Sequence, residues 1–177
     1  MINYIAHWDR ILIQSRGEII NELEEYNFRA ICPLNNSSKI NDHYSEKIDW
    51  KISKTKFFDI NAIFRLKRIL DNLEENSIVH VFTLKSGFFF MIASYFSQKK
   101  FNSTLSITGL GYLFSNRLNT KFIKFFLKPI FIKLINKTFI NIIYQNSIDE
   151  NLFNKYSKFR NNSYLIESSG LQGSQYL

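Results

Sequence analysis

Apolar positions along this chain come in short runs that switch between two rhythms. Ile2–His7 is a short, β-prone apolar run, and Phe28–Pro33 is a second one that stops at a proline. Between them Gly17–Tyr26 sets Ile19, Ile20 and Leu23 at helical spacing, with Glu22, Glu24 and Glu25 left for a wet face. Asn35-Asn36-Ser37-Ser38 has the composition of a loop. Lys47–Ser53 alternates Ile48, Trp50 and Ile52 with charged neighbours, as a half-covered strand does. Asp59–Glu74 carries an apolar stripe from Ile60 to Leu73, with Asp59 placed to cap it. Ile78–Thr83 reads as a buried strand and Gly87–Ser97 as a helix that is apolar nearly all round. Thr104–Thr108 is the next strand, and Asn119–Lys137 is helical in pattern but broken or kinked at Pro129. Phe139–Tyr144 (strand), Asp149–Phe159 (helix) and Tyr164–Glu167 (strand) complete the series. Strand–helix alternation with nearly continuous apolar strands predicts an α/β, Rossmann-like parallel sheet with helices on both faces.

Ligands of such sheets sit beyond the carboxyl ends of the strands, and polar residues and glycines collect there. Thr83-Leu84-Lys85-Ser86-Gly87 follows a strand and opens a helix, so Lys85 and the backbone N–H groups would suit a phosphate; an ordinary turn with a solvated lysine is the other reading. Thr108-Gly109-Leu110-Gly111 follows a strand with two glycines. They permit close approach of a ligand to the backbone, or simply a turn with positive φ. Arg16, read at a helix start, would contact a phosphate bidentately, or would pair with Asp9 and order the loop. His7 ends the first strand on the side of the expected cleft, His80 reads as a hydrogen-bonded core residue, and His43 as exposed. No metal-ligand spacing, P-loop or GxSxG elbow occurs.

Composition narrows the partners. The 177 residues are 45% hydrophobic and 21% charged, the make-up of one globular domain with a filled core. One cysteine, Cys32, excludes an internal disulfide and reads as a buried strand-end thiol rather than a nucleophile. The formal net charge of +8 calls for a polyanionic partner or surface. Scattered basic residues and the lack of a nucleic-acid motif speak against DNA or RNA. Lys121, Lys124 and Lys128 share one helical side among Phe and Leu, which fits either an anionic membrane surface or a core-packed helix with a solvated edge. Neither a secretory start nor an apolar run long enough to span a bilayer is present, so a cytoplasmic protein is expected.

The order Trp8-Asp9-Arg10…Ser15-Arg16-Gly17, Val79–Gly87 and Thr108-Gly109-Leu110-Gly111-Tyr112-Leu113-Phe114 resembles the amino-terminal domain of family 4 glycosyltransferases. The resemblance is to bacterial enzymes that extend sugars on undecaprenyl-diphosphate carriers for surface polysaccharides or protein glycosylation. The resemblance implies half of a GT-B fold, with residues 1–167 as the acceptor-binding domain. Residues 168–177 would then begin the linker to a donor-binding domain. It implies a retaining transfer to a lipid-linked sugar acceptor at the inner face of the cytoplasmic membrane, with a nucleotide-sugar as donor and no cofactor. Arg16, Lys85, Thr108, Gly109 and Gly111 would line the acceptor side of the cleft, Lys121, Lys124 and Lys128 would meet the membrane, and the 177 residues would be a fragment, a frameshifted product, or one subunit whose partner supplies the donor half. Thr108 and Phe82 stand where many members of that family have histidines, so no catalytic residue is assigned. The reading from another class is a non-catalytic module that docks to a membrane or a partner.

Overall fold

The computed structural model describes residues 1–23, 25–35, 44–53, 58–109, 133–156 and 162–167; of the helical side chains, those of 14–19, 21, 152 and 154–156 are not described. Seven strands form one sheet: β1 (Ile2–Ala6), β2 (Phe28–Cys32), β3 (Glu46–Asp49), β4 (Ile78–Phe82), β5 (Asn102–Ile107), β6 (Asn141–Tyr144) and β7 (Asn162–Leu165). Their order is β3-β2-β1-β4-β5-β6-β7 and every pairing is parallel. Four helices are named: α1 (Asp9–Glu22), α2 (Ile60–Asp71), α3 (Leu84–Ser97) and α4 (Ser147–Tyr156). Residues 133–138 are helical as well. The predicted Rossmann-like architecture is the one observed.

Period-two alternation sorts the strand side chains onto two cores. Tyr4 and Ala6 of β1, Phe28 and Ala30 of β2 and Phe82 of β4 join Leu12 and Ile20 of α1 on one face. Ile5, Ile31, Val79, Val81, Leu105 and Ile142 point the other way, into the larger core under α2, α3 and Phe153 of α4. Both faces are thus covered by helices, which is why β1 and β4 read as nearly continuous apolar runs, interrupted only by Asn3 and His80. Trp50 anchors the larger core: its ring is fully buried, its Nε1–H donates to Ala62 O at 3.0 Å, and Phe89 meets it edge-on at 5.8 Å.

Several expected boundaries move. The first helix begins at Asp9, not Gly17, because Leu12 is needed in the core against β1 and β2. The third begins at Leu84, not Gly87, because the Thr83 side chain caps it by accepting from Ser86 N–H. β3 is shorter than Lys47–Ser53, since Trp50 turns inward to reach Ala62. Asp59 caps α2 as expected, accepting from Ala62 N–H at 3.1 Å. Most of the predicted helix 119–137, with Pro129, lies outside the described residues, as do Asn36-Ser37-Ser38 and His43.

Candidate functional site

The strand order reverses between β1 and β4, which makes their carboxyl ends the topological switch point. Register puts Ala6 opposite Phe82, so His7 and Thr83 leave the sheet side by side. Thr83 Oγ1 lies 2.9 Å from His7 Nδ1, and Ser86 Oγ lies 3.2 Å from the same nitrogen and accepts from the His7 backbone N–H at 2.9 Å. Thr83 Oγ1 also accepts from Ser86 N–H. The tautomer of His7 sets whether Nδ1 accepts from a hydroxyl here or donates to one. Three side chains from two elements thus form one linked polar group at the start of α3. Thr83 holds φ +77° and ψ 152°, a backbone region that is nearly glycine's alone.

Lys85 lies in the first turn of α3, not in a loop before it, and its Nζ donates to Ser53 O at 2.6 Å. Burial pulls its pKa below the ordinary lysine value, against the opposing field of Asp59. Beside that contact, beyond the carboxyl ends of β2 and β3, opens a polar pocket of about 450 Å³ lined by Pro33, Asp49, Lys51, Ser53, Asp59 and Arg65 among others. Arg65 Nη1 donates to Lys51 O at 2.9 Å and holds one wall in place. Asp49 accepts from Leu34 N–H on the other.

The remaining predicted residues fare differently. Arg16 is in the middle of α1, about two turns past its start, so it is not at a helix amino terminus; its side chain is outside the description. Thr108 and Gly109 directly follow β5, and both are exposed. Gly109 has φ +147°, and a Cβ there would meet nothing within 4 Å, so its glycine answers a backbone angle and not a crowded contact. Gly111, Lys121, Lys124 and Lys128 lie outside the described residues. His80 is not at the site: Nε2 meets Ser106 Oγ at 2.7 Å, and its ring stacks on Phe82. Cys32 is buried at the end of β2, its thiol pushed up to about 12 by burial and by the charges of Asp9 and Asp49. Among the described residues, no group of three His, Cys, Asp or Glu is placed to hold a metal ion, and no helix is long and apolar enough to cross a membrane.

Sequence reading missed Thr83 and Ser86 as partners of His7, and it missed the pocket. The Thr-x-x-Ser spacing was a usable signal for the cap. The pocket had none, because it joins residues from β2, β3 and α2 that only the sheet order brings together.

No family model matches the chain, and no curated protein matches it either. A solved structure does: sucrose-phosphate synthase from Thermosynechococcus elongatus, with a TM-score of 0.57 over 94% of this chain and 88% of that chain, at 12% identity. At that identity the likeness is one of fold. The chain has a glycosyltransferase-like α/β fold, a Rossmann-like parallel sheet covered by helices.

Proposed function

We propose that this chain is the acceptor-binding half of a GT-B glycosyltransferase. It would bind a lipid-diphosphate-linked sugar as acceptor for transfer from a nucleotide-sugar in surface-glycan synthesis. The observation that carries the reading is the switch point between β1 and β4, where His7, Thr83 and Ser86 form one polar group, with Lys85 and the pocket beside them. Hydroxyl and imidazole groups at a strand's carboxyl end suit sugar hydroxyls, and cations at a helix start suit a diphosphate. The fold likeness to a sugar-transferring enzyme supports the same direction. In this reading the nucleotide-sugar is held by the other domain of the GT-B pair, and the residues described here supply the acceptor side.

Calorimetry on the purified chain tests this with three probes: a short-chain prenyl-diphosphate sugar, the same lipid without sugar, and several nucleotide-sugars. The sugar-bearing diphosphate is expected to bind most tightly, and His7→Ala and Lys85→Met each to weaken it by roughly tenfold, the loss of one good polar contact. Binding of nucleotide-sugars in preference to the acceptor would overturn the reading.

A further inference from the structure

The polar pocket of about 450 Å³ beyond the carboxyl ends of β2 and β3 carries charges of both signs. Asp49, Asp59, Lys51 and Arg65 all line it, and the Lys85 ammonium stands next to it, donating to Ser53 O at 2.6 Å. Two acids and two cations leave the lining itself formally neutral, on a protein whose net charge is +8. A ligand is therefore not drawn into this pocket by the attraction for anions that the molecule as a whole offers.

Opposite charges in one cavity can neutralise each other, yet among the described residues no ion pair joins either acid to either cation. The backbone holds them apart. One Asp49 carboxylate oxygen accepts from Leu34 N–H at 3.3 Å, and one Asp59 oxygen accepts from Ala62 N–H at 3.1 Å. Arg65 Nη1 is tied to Lys51 O at 2.9 Å, which also fixes the backbone that carries the Lys51 side chain. Each bond engages one polar atom of its charged group, and a carboxylate or a guanidinium has more to offer. A charge pattern set before binding costs little to use, so it suits a ligand that carries the complementary pattern. A simple anion would meet the two carboxylates, and a simple cation would meet Lys51 and Arg65. We propose that this pocket binds a small zwitterion, its ammonium toward Asp49 and Asp59 and its phosphate or carboxylate toward Arg65 and Lys51. The cavity is of the size that takes a small molecule. Charge and cavity carry this inference; it does not depend on glycosyl transfer, and the His7–Thr83–Ser86 group takes no part in it.

Calorimetry on the whole chain tests it with four probes, and a failure there leaves the acceptor reading standing. Glucosamine 6-phosphate carries both charges, glucose 6-phosphate only the anion, glucosamine only the cation, and phosphoethanolamine both charges without a sugar ring. Each zwitterion is expected to bind roughly tenfold or more tightly than either singly charged sugar, as one charged contact is added. The ratio between the two zwitterions then tells an amino-sugar phosphate from any zwitterion of that size. Asp49→Asn should weaken zwitterion binding roughly tenfold and leave glucose 6-phosphate no weaker, whereas Arg65→Gln should weaken both. Asp59→Asn, which keeps a cap for α2, should behave as Asp49→Asn does. Tyr164→Ser, at an exposed aromatic on β7, should bind as the parent does. Circular dichroism confirms that each variant folds. Binding of glucose 6-phosphate or glucosamine as tight as that of the zwitterions would overturn the proposal, and so would absence of zwitterion binding. Zwitterion binding retained by Asp49→Asn, Asp59→Asn and Arg65→Gln alike would overturn it too.

Discussion

Thr83 does two opposed things at one position. Its hydroxyl caps α3 and meets His7, while its backbone sits at φ +77°, where a side chain is strained by about 1–3 kcal/mol. Thr83→Ala removes the hydroxyl and keeps the strain, whereas Thr83→Gly removes both. Urea unfolding should therefore find Thr83→Ala the less stable of the two by about 1 kcal/mol or more, because ordinary N-cap preferences, which favour glycine over alanine, act in the same direction as the backbone strain. Cys32 gives a second test. The native thiol keeps its proton to about 12, while an unfolded one ionises near 9.0. Between those values the native state holds the extra proton, so stability falls as pH rises, by on the order of 1 kcal/mol per pH unit from this group. Cys32→Ala should flatten that alkaline slope, and the native thiol should resist alkylation at pH 8 until the protein unfolds. At this scale the sequence told much about Cys32, whose apolar neighbours mark it as buried. It told little about Thr83, because a non-glycine residue with positive φ leaves no trace in composition.

Helix α3 crosses β5 closely at Gly87, where a Cβ would come within 2.9 Å of Leu105 Cδ1. Alanine there gains about 1 kcal/mol of helix propensity. It also overpacks a contact against a leucine that is fully buried, at a cost of about 1–3 kcal/mol. The net expectation for Gly87→Ala is a loss of about 1 kcal/mol in thermal or urea unfolding, and Leu105→Val should turn that loss into a gain by making room. The same crossing explains why the helix was read late. Thr83-Leu84-Lys85-Ser86-Gly87 looks like a turn, since glycine ordinarily ends or interrupts helices, yet here it serves packing inside one. Gly17 also lies within a helix, α1, instead of opening it. The start of helix α2 was legible to the residue, because its cap Asp59 and its apolar stripe agree, while its end falls at Asp71, short of the expected Glu74. Elements whose local signals agree with their packing are readable, and those whose glycines answer to a neighbour are not.

Strand–helix alternation implies parallel pairing, but not which strands lie outside. Among the described residues, the order β3-β2-β1-β4-β5-β6-β7 leaves the five strands from β2 to β6 in that row with neighbours on both sides, β1, β4 and β5 innermost, and β3 and β7 as edges. That order created the site as well, by setting His7 next to Thr83 and by joining Asp49 to Arg65 across the pocket, so neither was legible from one segment. The edges differ in cover. β3 borders the core through half-buried Lys47 and Ile48, whereas all four residues of β7 are exposed. β7 is therefore held by its ladder to β6, with little burial to resist opening. Hydrogen exchange read by mass spectrometry should rank the strands accordingly, with amides of β1, β4 and β5 slowest and exchanging only by global unfolding. Those of β7 should exchange fastest, by about 100-fold or more, since local opening there exposes almost no apolar surface. If β7 instead proved as protected as β4 in the isolated chain, it would have to be covered by self-association, and protection would then fall on dilution.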